Sequence, residues 1–437
     1  MGGIGASTLP LLVLGASLGI AYAVVATRSL AAALGIFTYL TFFDISPVDL
    51  LTRLAGALLV GLWILAILTR GNRVPLLFRD QRRFAAIVLL LAGWFAASTV
   101  WARDFDLAMS DAVRLLQGIL LVLMIYTAVR EPRHVRWLIV GFVAGAATSA
   151  VLGILSGPGR ITGGFDDPNE LAAVIVPGAI LAAFGYMACR GRPLRWAFLA
   201  ALPLFAAGLL DTDSQGGLVA LIVGAVAAVV LGGPVRVHAL AAGLTVGCLA
   251  FGFYFVNPPT PGQFTEGGES RENLWTVALA VARDHPLLGV GAGNFPVVEP
   301  AYALRDLNLT RADLITRPEV AHNTYLHVLA DYGSVGLLLL LALIGAALAI
   351  GMQAARAFQR EGNRELELLA RGQVTASVAM LAAYFFQSGQ FEKQLWLMLG
   401  FSVALRAVAI EPVATAARVS ATWRSSRAHG YAAPAPG

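Results

Sequence analysis

A chain of 437 residues that is 58% hydrophobic and only 13% charged, with a mean hydropathy of +0.73, is not an ordinary soluble protein. Soluble domains carry roughly 45–50% apolar and about 25% charged residues. The net charge of +5 does not point to nucleic acid, because the basic residues sit in short loops between apolar runs, where arginines mark the cytoplasmic side of a membrane protein. No positively charged leader precedes the first apolar run, so no cleavable signal peptide is expected and that segment is retained. Cys189 and Cys248 each lie inside an apolar run, so no structural disulfide is expected and the redox compartment cannot be read from them.

In chain order, apolar runs fall at 9–27, 29–43, 53–69, 84–102, 112–129, 137–157, 170–189, 196–210, 217–232, 238–256, 333–353, 372–388 and 395–410. Each is long enough, or nearly so, to cross a hydrocarbon core of about 30 Å at about 1.5 Å per residue. They predict an all-α polytopic membrane bundle of twelve or thirteen helices. The count turns on whether 29–43 is a full span, a tilted partner or a half-span. Alternate loops are arginine-rich: Arg70 to Arg83, Arg130 to Arg136, Arg190 to Arg195, Arg236, and Arg356 to Arg371. The intervening loops carry Asp104 and Asp106, then Asp166, Asp167 and Glu170, then Asp211 and Asp213. The arginine set is assigned to the cytoplasm, and with it the C-terminus. The side of the N-terminus depends on 29–43.

Four segments follow. Residues 1–256 hold membrane helices with short loops, and 257–323 form one large outer loop in which acids outnumber arginines. Residues 324–411 return to the membrane, and the Ala-, Arg- and Ser-rich tail 412–437 is expected to be disordered.

The large outer loop holds most of the candidate chemistry. Ser270 is read as the cap of a helix over 271–284, with Arg271 at its start and Leu274, Trp275, Ala278, Leu279 and Ala282 on one face. Asp284-His285-Pro286 ends it, since proline disfavours helix in the residue before it. Gly289-Val290-Gly291-Ala292-Gly293-Asn294 has the look of a nucleotide fingerprint without its strand–turn–helix context, and a structural turn is the favoured reading. His322 opens a helix that passes Gly333. A histidine there can act as a general base near neutral pH, whereas His327, five positions on, points elsewhere and makes no metal pair with it. Two shorter outer loops add Arg160 to Glu170, with Pro168 and Asn169 forming a turn and cap, and Asp211 to Gly217, only weakly like an acidic metal loop.

These pieces together resemble the O-antigen ligase and polymerase superfamily. The match lies in Arg271 with Trp275, His285 through Phe295, His322-Asn323-Thr324-Tyr325-Leu326 followed by Gly333 and an apolar run, and Arg160 through Asn169 as Arg-x-x-Gly-x-Phe-x-x-Pro-Asn. It covers roughly 155–355 and is specific as a combination. The resemblance implies a GT-C-like bundle with a large periplasmic loop in the bacterial inner membrane. It also implies an inverting, metal-independent glycosyltransferase without a cofactor. The donor would be a glycan on undecaprenyl diphosphate, and the acceptor a hydroxyl on lipid A-core or a comparable lipid or glycan. His322 would take the acceptor proton and Arg271 would hold the diphosphate, with Arg160, Gln215, Asn169 and Asn323 completing the substrate site. At position 215 the family usually has arginine after serine, and the neutral Gln215 departs from that. A ligase is the first reading and a polymerase of the same superfamily the second. A flippase or transporter is the third, disfavoured because the spans are nearly free of charge (Arg114 and Arg406 lie near ends) and the polar residues gather in outer loops.

Overall fold

The computed structural model describes residues 9–43, 48–70, 77–157, 159–236, 263–305 and 319–409. Among them all regular structure is helical. The helices are α1 (Leu9–Arg28), α2 (Leu30–Leu40), α3 (Val48–Arg70), α4 (Leu77–Asp80), α5 (Arg82–Ser98), α6 (Phe105–Ala128), α7 (Pro132–Leu155), α8 (Pro168–Ala188), α9 (Arg192–Thr212), α10 (Gln215–Leu231), α11 (Gln263–Asp284), α12 (Phe295–Ala303), α13 (Thr324–Arg360), α14 (Arg364–Ala383) and α15 (393–409). Six of the described segments are long and apolar enough to cross a membrane: Leu50–Thr69, Phe105–Ala128, Pro132–Leu155, Pro168–Ala188, Pro193–Thr212 and Thr324–Arg360. The protein is an all-α polytopic membrane protein. The run at 238–256, Cys248 and the tail from 410 lie outside the described residues.

Local chemistry sets the helix starts. Proline opens α7, α8 and α9, where its missing N–H costs nothing. Asp104, Asp167, Ser214 and Asn323 cap α6, α8, α10 and α13 through their side-chain oxygens, as short polar residues do at N-termini. The run at 29–43 holds only the 11-residue α2, about 16 Å long, half a membrane crossing. Ser29 separates it from α1 by capping it.

At the centre α8 packs against α7, α9, α10 and α14, and α13 runs between α5 and α14. The antiparallel order gives the bundle two chemically different ends. One gathers the arginines, with Arg136 bound to Glu365 at 3.0 Å. There the buried Arg371 bonds Glu367 at 2.8 Å, the Leu231 carbonyl at 2.7 Å and Gln359 at 3.1 Å. The other end gathers the last turns of α7, α9 and α14, the first turns of α8, α10 and α13, and α11.

Two readings of the large loop are corrected here. Ser270 is not a cap, because α11 begins at Gln263 and runs through it, with Arg271 in its interior. The buried face of α11 is Leu274, Val277, Ala278, Val281 and Ala282, while Leu279 is 41% exposed. The burial follows i, i+3, i+4, i+7, i+8 spacing; the assigned set had Trp275 and Leu279 where Val277 and Val281 are buried.

Candidate active site

The site is built around the entry to α13. The Asn323 side-chain oxygen accepts from the N–H groups of Tyr325 and Leu326, both at 3.0 Å, and so fixes where the helix begins. Two residues earlier, the Ala321 carbonyl accepts from the Trp275 indole at 3.1 Å, tying this point to α11. His322 is held between these anchors at φ 45°, a left-handed conformation that costs a non-glycine residue energy and persists only where its surroundings impose it. His322 Nε2 is 3.9 Å from a Glu319 carboxylate oxygen, too far for a hydrogen bond. Burial lowers the His322 pKa from 6.5, and the nearby Arg271 charge lowers it further; Asp167 and Glu319 act in the opposite sense. The neutral imidazole, the form that accepts a proton, is thereby favoured.

Arg271 reaches the same space from α11. Its pKa is also lowered, first by burial, with the Arg160 charge adding to that and Asp167 opposing it. A guanidinium stays charged in proteins, so the shift describes the surroundings. Two cations are held near one another in a partly desolvated place with one close carboxylate, and an anion between them would relieve the repulsion.

Arg160 is positioned by the loop at 211–213. Its Nε donates to the Thr212 carbonyl at 3.1 Å, and the Ile161 N–H donates to the Asp211 carbonyl at 3.2 Å. That loop works through its backbone as a clamp. Asp167 caps α8, accepting from the Asn169 backbone N–H at 2.6 Å and its side-chain amide at 2.7 Å. The Asn169 carbonyl oxygen accepts from Ser214 Oγ at 2.7 Å, and Ser214 Oγ accepts from Gly217 N at 3.0 Å. The Asn169 amide thus braces the cap of α8 through its nitrogen and joins α8 to α10 through its oxygen. Gln215, the first residue of α10, is exposed beside this junction. All six residues singled out in the sequence thus meet at one end of the bundle. The Asn323 amide nitrogen is buried and has no hydrogen-bond partner among the described residues.

A second layer holds these parts. The carboxylate of Asp331, fully buried on α13, accepts from Phe295 N at 2.7 Å and Gly293 N at 3.2 Å. The buried His327 places Nε2 3.2 Å from Asp331 and Nδ1 3.0 Å from Ser388 Oγ. Asn294 accepts from Asp104 N at 2.7 Å, so the glycine-rich run ties α13 to the start of α6 and serves as scaffold. Glu319 and Asp331 escaped the sequence reading, and Asp167 entered it only as one of the outer-loop acids. Asp167 had a readable sign, an aspartate directly before Pro-Asn at a helix start; Asp331 had none, being a lone acid inside an apolar helix.

A family model described as O-antigen ligase matches residues 171–341. No curated protein matches the chain. The matched stretch contains Gln215, Arg271, His322 and Asn323, while Arg160, Asp167 and Asn169 lie just before it. Residues 171–341, from α8 into α13, are thus similar to the O-antigen ligase family, a match that supports the O-antigen ligase/polymerase superfamily.

Proposed function

We propose that the protein is an O-antigen ligase-type glycosyltransferase. In this reading it moves a glycan from undecaprenyl diphosphate to a hydroxyl on lipid A-core or a similar surface acceptor. The observation that carries the reading is the shared electrostatic neighbourhood of Arg271, Arg160, Asp167 and His322 at the arginine-poor end of the bundle. The acceptor oxygen attacks the anomeric carbon as the bond to the diphosphate oxygen breaks, inverting that centre. The hydroxyl proton passes to His322. Arg271 and Arg160 meet the charge growing on the departing diphosphate, and stabilising such charge in a preorganised, water-poor site is usually a large catalytic contribution. No metal or cofactor is required, because the two guanidiniums supply the positive charge. Asn169 positions Asp167 and Ser214, and the Asn323 amide offers a donor to substrate oxygen. The site faces the periplasm across the inner membrane, with the C-terminus in the cytoplasm.

The test is reconstitution of the purified full chain with a lipid diphosphate-linked glycan and lipid A-core. Product on lipid A-core is expected. His322→Ala is expected to lower that transfer about 10²- to 10⁴-fold, the usual contribution of a general base, while leaving the unfolding midpoint in place. Longer glycans on the carrier would make the protein a polymerase instead. Full transfer by His322→Ala would remove His322 from the mechanism.

A further inference from the structure

The segment between α14 and α15, 384–392, has no part in the chemistry above, yet it closes the site on another side. Its backbone is fixed to the first turn of α13. Thr324 N donates to the Tyr384 carbonyl at 3.0 Å, Thr324 Oγ1 donates to the Gln387 carbonyl at 2.7 Å, and Gly389 N donates to Thr324 Oγ1 at 2.8 Å. On this frame Phe385 meets Trp275 edge-on at 5.5 Å and 74°, and Phe386 at 5.3 Å and 73°. Phe386 in turn lies on the start of α10. A Cβ added at Gly216 would sit 2.9 Å from the Phe386 Cβ, so only glycine fits beside Gln215 without a shift.

Phe385 itself is 46% exposed. This large flat ring is braced edge-on by Trp275, which lies one helical turn from Arg271 on α11, and by Phe386, which packs on Gly216 next to the exposed Gln215. Nearby, the side-chain oxygens of the buried Gln387 and Gln390 have no hydrogen-bond partner among the described residues. Buried polar atoms are normally partnered, and exceptions call for a cause. A fixed aromatic face with neutral amide groups around it is the complement of a sugar, whose ring carbons are apolar and whose hydroxyls both donate and accept.

We propose that Phe385, braced by Trp275 and Phe386 and flanked by Gln215, is the stacking platform for a pyranose ring at the transfer site. This rests on the reading of Arg271 and His322 given above, which places the diphosphate and the acceptor hydroxyl alongside. The ring belongs either to the donor glycan next to the diphosphate or to the acceptor glycan. Stacking on a ring face tolerates differences in hydroxyl configuration, so a simple sugar probe is sufficient.

The experiment measures binding of two probes to the full chain in lipid nanodiscs: bare polyprenyl diphosphate, and polyprenyl diphosphate bearing one glucopyranose. Each is measured with the wild type, Phe385→Leu and Phe385→Tyr, and the acceptor KM is followed in the transfer assay. Leucine keeps the apolar bulk that insertion into lipid would need but loses the flat ring; tyrosine keeps the ring. If the platform serves the donor, the wild type prefers the glycosylated carrier. Phe385→Leu then weakens only that probe, about five- to tenfold, the size of one aromatic contact, and Phe385→Tyr behaves as wild type. A rise of the acceptor KM in Phe385→Leu, with carrier binding unchanged, assigns the ring to the acceptor and supports the platform equally. Unchanged carrier binding and acceptor KM in Phe385→Leu would overturn the proposal and leave Phe385 as a lipid contact, with the function of Arg271 and His322 still standing. Failure of both carriers to bind would sink the diphosphate reading, and the platform with it.

Discussion

Among the described residues, His322 and Asp213 are the non-glycine positions with positive φ, and they differ in kind. Asp213 ends α9 as an exposed left-handed cap, a place where aspartate is at ease. His322 is pinned between two side-chain anchors, within the electrostatic reach of Arg271, at some conformational cost. The lowered pKa of His322 has a definite consequence for rate against pH. A base is active when neutral, so transfer should persist to pH values below 6.5 and fall as His322 finally protonates. Burial is the larger cause and Arg271 the next. Arg271→Gln therefore leaves the burial effect but removes the neighbouring charge, and the acid limb of the pH–rate profile should move to higher pH. An acid limb that stays in place would show that His322 is not the titrating base. Asn323 separates two jobs that one side chain performs. Asn323→Ala removes the helix cap and should lower stability by about 1 kcal/mol. Asn323→Asp keeps the capping oxygen but replaces the unpartnered amide nitrogen, so it should unfold at the wild-type midpoint and transfer poorly. Equal transfer by Asn323→Asp and wild type would show that the amide meets no substrate.

At the scale of elements, the site depends on how α13 is interrupted. Gly333 adopts φ 68° and ψ −174° inside the helix, and the chain at Leu287 passes where a side chain would be, since a Cβ there would lie 2.1 Å from the Leu287 carbonyl oxygen. Ser334 N donates to the Pro286 carbonyl at 2.8 Å across the same contact. The kink thus seats the 285–295 run on α13 beside Asp331, whose carboxylate accepts from Gly293 N and Phe295 N of the same run. Gly333→Ala must both adopt an unfavourable backbone conformation and displace that run. Its cost should be on the order of 3 kcal/mol, read as a lower unfolding midpoint in detergent with a parallel loss of transfer. Retained stability would mean that the kink is dispensable. Elements such as these were unevenly legible. The end of α11 at Asp284 and the entry to α8 could be read from Pro286 and from Pro168-Asn169, because local chemistry decides them, although the cap of α8 is Asp167 and not Asn169. The start of α11 could not. Gln263 to Glu269 is polar and contains Gly267 and Gly268, so neither periodicity nor propensity announces a helix there. The pairing of His327 with Ser388 spans 61 positions, and no local pattern encodes it.

For the whole molecule, the division of charge between the two ends organises function. The sequence alternation of arginine-rich and acid-rich loops is a one-dimensional trace of that division, which is why the gathering of Arg160, Gln215, Arg271 and His322 at one end is legible in the sequence, as the fold class is in the apolar runs. Their mutual arrangement was not, because it depends on α8, α10, α11 and α13 converging from distant parts of the chain. The same division yields a test of orientation. Arginines in short loops resist translocation, so the end carrying Arg136, Arg190 and Arg364 should stay in the cytoplasm and the end carrying Gln215 should reach the outer side. Gln215 and Arg190 are both exposed at their respective ends, so each can report its compartment as a single cysteine once Cys189 and Cys248 are replaced. In intact spheroplasts, a membrane-impermeant maleimide should label Gln215→Cys directly and Arg190→Cys only after permeabilisation. The reverse pattern would place the arginines outside and the His322 site in the cytoplasm. A glycan assembled on a lipid carrier would then meet the site before export, and the transfer chemistry proposed here would need a cytoplasmic acceptor.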